Sequence, residues 1–417
     1  MKISTYLISI ISLLGFSGAG FCATLIEGEE QGAFYLIEVP DNWNGDLVVW
    51  NHGITSSEPS VLDFDDLGPL ATVQLSQGYA LAASSFRMNG WALFESTRDN
   101  ENLLRIFNRE IGTPNNIFMT GGSMGGLVSE QYLEKGHVGH VAAAYSLCGA
   151  LAGSNNWDDM IDLRLVYDAV CADVPGAFIP GGADGLPADS TLSGEELTLA
   201  VNACTGVLLP PLLRTPEQQT RLDKISHVIR IEGDSLLENM ALALVGISNL
   251  VHNPEKLKGR NGLWNYFVDY NDPDINANIQ RTFPDPGGKQ RLRRNYTPRG
   301  HIGDAKLLAM HTDKDDLVVV ENLSFIKKLI PAENITTAVV VQDTAEHCGF
   351  STAEIIAGWE STRNWVDIGI QPSAQSIQQD CELIELLGIP GPCRIDPDFV
   401  VDKLDSRIRP RIPDHFH

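Results

Sequence analysis

The chain has 417 residues, a formal net charge of −24 and a hydrophobic fraction of 43%, the profile of an ordinary globular protein. So acidic a surface disfavours nucleic acid and anionic membranes as electrostatic partners, while leaving the chemistry of any pocket open. Seven cysteines without a C-x-x-C pair point to disulfides rather than to a zinc site.

Met1-Lys2, an apolar run from Ile3 to Phe16 and the small residues Ser17, Gly18 and Ala19 read as an export signal spanning 1–23, with Ala23 as a second cleavage candidate. The run is too short for a membrane span, and Phe21 before Cys22 is a poor fit to a lipid-attachment signal, so no stable membrane insertion is expected after its removal. Six cysteines then remain, which allow fifteen pairings. Cys381 and Cys393, flanking a Gly-Ile-Pro-Gly-Pro turn, are the expected pair, and a bridge at Cys348 would pin its neighbour His347.

Residues 24–149 alternate between strand and helix patterns. Strands are expected over 34–39, 47–51 and 79–85, a helix over 67–77 closed by Gly78, and a second helix ending near Gly112. A strand from Asn116 runs into Gly121-Gly-Ser-Met-Gly-Gly126, a helix covers 127–135 and another strand covers 140–147. This is the signature of a mostly parallel, doubly wound α/β sheet.

Residues 150–303 then break the pattern, and that length is too great for a simple connection. Helical patches over 159–167, 194–204 and 236–247, separated by glycine- and proline-rich breaks such as 179–187, predict a largely helical cap over the carboxyl edge of the sheet. The basic run Lys289–Arg294 reads as a solvated face. The core resumes over 304–370, with strands at 305–310 and 335–341 and helices at 321–329 and 353–366. Residues 371–417 read as a proline-rich tail packed on the core, with few element signals.

Three segments carry chemistry. Gly121, Ser123 and Gly125 form G-x-S-x-G between a strand and a helix, a turn that exposes a serine hydroxyl and aims the backbone N–H of Met124 at a developing oxyanion. A phosphate cradle would need the Gly-Lys-Ser/Thr ending or the G-x-G-x-x-G spacing, and neither is present. Downstream, a turn holding Asp313, Asp315 and Asp316 follows one strand, and His347 follows the next. That is the Ser…Asp…His order of a hydrolase triad: serine attacks an acyl carbon, histidine moves the proton, and the acid fixes the imidazole.

These motifs, together with Pro40-Asp-Asn-Trp-Asn-Gly45 feeding a strand that ends at His52-Gly53, resemble the secreted bacterial α/β-hydrolases, esterase-like and capped. The resemblance implies an α/β-hydrolase fold and a second oxyanion donor at the Ile54 N–H, with Gly53 as the alternative and His52 shaping the loop. The family pattern His-Gly-x-x-Asp-x-x-Val-Pro selects Asp315, although Thr312 replaces the glycine and Val319 the proline. Glu346-His-Cys-Gly-Phe350 resembles the histidine loop of several secreted esterase groups. The expectation is an exported serine hydrolase, periplasmic or secreted, that cleaves small-molecule or polymeric carboxylic esters through an acyl-enzyme with Ser123, Asp315 and His347, using no cofactor or metal. A serine peptidase would use the same triad and would need cap carboxylates such as Glu195, Glu196 or Glu238 near the pocket, whereas a binding protein would have no chemical reason to keep all three residues.

Overall fold

The computed structural model describes residues 23–55, 59 and 68–404. Residues 1–22 of the expected export segment and Leu67 of the expected first helix lie outside the described residues. The strands are β1 (Ala23–Glu30), β2 (Ala33–Pro40), β3 (Leu47–Asn51), β4 (Ala80–Ser84), β5 (Ile117–Gly122), β6 (Val141–Leu147), β7 (Lys306–Thr312), β8 (Ile335–Val340) and β9 (Ile395–Asp396). They form one sheet in the order β1-β2-β4-β3-β5-β6-β7-β8-β9. Pairing is antiparallel at both ends and parallel from β4 through β8.

This order is that of the α/β-hydrolase fold, in which the carboxyl ends of the parallel strands share one edge. The central strands are covered on both faces, so β4 (ALAAS) and most of β5 (IFMTGG) are buried along their length and read as apolar runs rather than alternations. The edge strand β1 instead carries Glu27, Glu29 and Glu30, charges that discourage pairing with another chain.

One face is covered by α1 (Gly68–Ser76), α11 (Thr352–Ile368) and α12 (Ala374–Leu386), whose buried residues join Leu81, Phe118, Tyr145 and Met310 in one core. The other face is covered by α2 (Ser96–Glu110) and α3 (Met124–Lys135). Between β6 and β7 come α4 (Asn156–Cys171), α5 (Gly194–Thr205), α6 (Pro216–Ile229), α7 (Leu236–His252), α8 (Pro273–Asn278) and α9 (Pro286–Arg294), and α10 (Asn322–Lys327) follows β7. The apolar residues of this insertion belong to the same continuous core as those of β2, β3, β5 and α3. Local signals start its helices: Ser193 with Glu196 and Thr215 with Gln218 form reciprocal capping boxes, and Pro216 occupies the first turn of α6.

The tail differs from its sequence reading. Ser373 caps α12, which buries Ile377, Cys381 and Ile384 at helical spacing, and β9 adds to β8 through the pairs Val339–Asp396 and Val340–Ile395. The cysteines pair as Cys148–Cys348, Cys171–Cys204 and Cys381–Cys393. The last is the pair expected from the turn, and the first places a bridge at Cys348.

Where the insertion returns to the sheet, Glu134 on α3 accepts hydrogen bonds from the backbone N–H groups of Arg299, Gly300 and His301. One helical turn back, Glu130 is fully buried, and burial first, then the neighbouring Glu134, pushes its carboxyl well above the ordinary range. An acid raised in the folded state costs no stability below its unfolded value, about 4.3, and costs progressively more as pH rises above it. Glu130→Gln should therefore raise the Tm at pH 8 and change it much less at pH 4.5; thermal melts showing equal shifts at both would exclude charge burial as the cause.

Candidate active site

β5 delivers Ser123 at the carboxyl edge in a conformation that a residue with a side chain rarely adopts, φ 56° and ψ −126°. Its N–H donates to the Leu147 carbonyl at 2.9 Å, and its own carbonyl accepts from Gly126 at 3.1 Å and Ala150 at 3.3 Å. The flanking glycines are required by crowding. A Cβ at Gly125 would lie 1.9 Å from the Asn51 carbonyl oxygen, and one at Gly121 would lie 2.5 Å from the same atom. α3 therefore starts in direct contact with the end of β3. Beneath the crossing, the Asn51 amide donates to Ser129 Oγ at 3.0 Å and to the Thr120 carbonyl at 3.3 Å, and Asn100 donates to Asn51 Oδ1 at 2.8 Å.

The chain leaves β3 through His52, Gly53 and Ile54. A Cβ on Gly53 would be 3.5 Å from Ser123 Cβ, which places this loop against the serine. His52 shapes the loop: its ring nitrogens lie 2.7 Å from the Gly53 carbonyl and 3.1 Å from the Ser85 carbonyl, and its ring packs on Phe86. Burial pushes its imidazole toward the neutral form. Ile54 and Met124 line one apolar slot with Ser123.

The three aspartates of the β7 turn have separate partners. Asp313 accepts from the Gln342 N–H at 2.7 Å, tying the turn to the end of β8, and Asp316 accepts from the Glu232 N–H of the insertion at 3.2 Å. Asp315 is the one that meets His347, whose Nδ1 lies 2.8 Å from Oδ2 and 3.0 Å from Oδ1. Asp315 also accepts from Val318 N–H at 2.9 Å, Leu317 N–H at 3.2 Å and Cys348 N–H at 3.2 Å. Burial pushes its carboxyl up, but His347, His311 and the Val318 N–H together hold it below the ordinary range. His311, wholly buried at the end of β7, takes the Thr312 N–H on Nδ1 at 3.0 Å, and burial keeps it toward neutral.

The loop that carries His347 is tied covalently to the neighbourhood of Ser123. Cys348, next to His347, bonds to Cys148, and Cys148 directly follows Leu147, the backbone partner of Ser123. Cys148, Cys348, Asp315 and His347 bring four potential metal donors within 4.8 Å of one another. As folded, the sulfurs are bonded to each other and the imidazole is bonded to the carboxylate, so the group offers no thiolates for a metal.

Beside Ser123 lies a cavity of about 40 Å³, walled by Ile54, Trp91, Met124, Trp157, Met160, Leu242, Leu317 and Val318. Trp91 and Trp157 meet edge to face at 5.4 Å. Asn156 also borders it, but its amide is committed to Ala150, Gly153 and Asn322. Glu195, Glu196 and Glu238 are exposed and do not border this cavity. Trp91 and Trp157 escaped the sequence reading because core aromatics and slot aromatics look alike without the fold, and the partner of Cys348 because six cysteines leave fifteen pairings open.

No family model and no curated protein matches this chain by sequence. Among solved structures it is similar to feruloyl esterase B from Aspergillus oryzae, with 12% identity, 85% of this chain and 83% of that one covered, and a TM-score of 0.47. It is also similar to the rice cell wall degrading esterase LipA from Xanthomonas oryzae, with 13% identity, 81% and 84% covered, and a TM-score of 0.40. Lipase A from Candida antarctica gives 12% identity, 84% and 81% covered, and a TM-score of 0.42. Overlaps this loose say nothing of mechanism or substrate, which must come from the site itself.

Replacing both Cys148 and Cys348 with serine should slow labelling of Ser123 by a fluorophosphonate about tenfold or more, since misplacing a reacting group by about 1 Å can cost 10²-fold. An unchanged labelling rate would mean that the loop's hydrogen bonds hold it without the bridge.

Proposed function

We propose that this protein is an exported serine hydrolase that cleaves short-chain carboxylic esters through an acyl-enzyme. The observation that carries the reading is the meeting of Asp315 and His347, on a loop bonded to the strand end beside the strained Ser123. In this mechanism Ser123 attacks the acyl carbon, and His347 takes its proton and returns it to the departing alkoxide. Asp315 holds the imidazole so that Nε2 is the nitrogen that exchanges protons. The N–H groups of Met124 and Ile54 stabilise the tetrahedral oxyanion, a contribution of about 10²–10³-fold for one donor. Water then repeats the sequence on the acyl-serine.

The slot supports the short acyl group. The apolar space beside Ser123 is small, about 40 Å³, which favours a short acyl group over a long one. Among the described residues its walls are apolar and contain no carboxylate, which favours an uncharged acyl group over a peptide amino terminus. The three disulfides fit an oxidising compartment, in keeping with the apolar leader of the sequence.

Hydrolysis of p-nitrophenyl acetate, butyrate and octanoate, and of prolyl and aminoacyl p-nitroanilides, tests this directly. The expected outcome is turnover of acetate and butyrate that disappears in Ser123→Ala, a fall of at least about tenfold by octanoate, and no anilide cleavage. Anilide cleavage dependent on Ser123 would replace the esterase reading with a peptidase. Asp315→Asn should lower kcat by about 10⁴-fold, as expected for a wrong imidazole tautomer, and Asp313→Asn should not; the reverse order would move the acid by two residues.

A further inference from the structure

Lys256 is fully buried, an unusual place for a lysine. It lies in the insertion just beyond α7, and its ammonium donates to the Asn89 carbonyl at 2.6 Å and to Asn249 Oδ1 at 2.5 Å. The segment it grips touches the site at three successive residues. Gly90 N–H donates to the carbonyl of Thr55, the residue after Ile54, at 2.7 Å. Trp91 walls the slot, and Ala92 N–H donates to Met124 Sδ at 3.3 Å. Gly90 has φ +72°, and a Cβ there would lie 2.2 Å from Asn249 Oδ1 and 3.0 Å from Lys256 Nζ, so only glycine lets the chain approach the ammonium this closely.

The charge has a counterpart. Glu95 is buried, neither of its carboxylate oxygens has a hydrogen-bond partner among the described residues, and Lys256 is the cation that most opposes its desolvation. The other charges facing it, Asp99 and Arg87, are paired with each other. Burial pushes the carboxyl up and the ammonium down, and the attraction between them offsets part of both.

We propose that Lys256 is a positioning residue for the oxyanion hole: from the insertion it braces residues 89–92, which set the spacing between the Ile54 and Met124 N–H groups. This rests on the hydrolase reading of Ser123. It assigns the insertion a part in transition-state stabilisation beyond walling the slot. A brace of this kind acts mainly on the tetrahedral state and only through Trp91 on the bound ester, so it should appear chiefly in kcat, with a much smaller effect on KM.

The test is Lys256→Met, whose remaining partner Glu95 can take up a proton and avoid leaving a bare charge. With p-nitrophenyl butyrate, kcat should fall at least about tenfold while KM stays within about twofold, and affinity for an alkyl boronic acid, which forms a tetrahedral adduct on the serine, should fall by the same factor as kcat. Unchanged kcat and boronate affinity in the folded variant, or a rise in KM alone, would overturn the proposal, even with a lowered Tm. If Lys256→Met does not fold, Asn249→Ala decides: it keeps the lysine and the Asn89 bond, and the expected result is a smaller kcat loss in the same direction at constant KM, with an unaltered kcat counting against the brace. Fluorophosphonate labelling of wild-type Ser123 is the control. A wild type that neither labels nor turns over ester removes the hydrolase reading and the brace with it, whereas an active wild type beside an equally active variant removes the brace alone.

Discussion

The contact between the Asn51 carbonyl and the first turn of α3 is the constraint on which the site depends. It leaves no room for side chains at positions 121 and 125 and brings β3 against the turn in which Ser123 holds φ 56° and ψ −126°. Such backbone states cost on the order of 1–3 kcal/mol and persist only where surrounding structure over-determines them. Here the over-determination is visible in the buried amides of Asn51 and Asn100, the Ser129 hydroxyl and the three backbone bonds around Ser123. The loop proposed to carry the second oxyanion donor begins one residue past Asn51, so the same contact sets both the serine and its surroundings.

The histidine side is organised differently. No regular element holds residues 343–350, and the loop is fixed by individual attachments: the carboxylate of Asp315, which bonds both the imidazole and the next backbone N–H, the bridge to Cys148, and side-chain bonds from Lys314, Gln342 and Arg394 to its carbonyls. The insertion adds a third kind of support, because its helices share an uninterrupted apolar core with one face of the sheet. Swinging it away as a hinged lid would expose that core and strip Lys256 of its Asn89 acceptor. Substrate is therefore expected to reach the slot through local adjustment of side chains and loops.

Much of this was readable in the sequence, for physical reasons that differ by region. β3, β4, β5 and β6 announce themselves because strands buried on both faces must be apolar throughout, and a serine between paired glycines at a strand end leaves few alternatives. Choosing Asp315 over its neighbours needed either a family pattern or the fold, since all three carboxylates share one turn and differ only in what approaches them in space. α12 was hidden because its apolar residues, Ile377, Cys381 and Ile384, form a sparse stripe after a proline-rich lead, and α6 because most of its length is polar. Lys256 and Glu95 were invisible for a deeper reason: charge in a sequence signals solvent, and only packing shows where it has been taken out of water.

The Cys148–Cys348 bridge closes a loop with a sequence separation of 200 that contains the whole helical insertion and Asp315. In the loop-closure picture a cross-link of that span restricts the unfolded chain by about 5 kcal/mol. It also changes what a protease can do. A single cut anywhere in the exposed connections of the insertion would leave the halves that carry Ser123 and His347 covalently joined through Cys148 and Cys348. As long as the bridge stays oxidised, a first nick in the insertion thus separates sequence neighbours without separating Ser123 from His347.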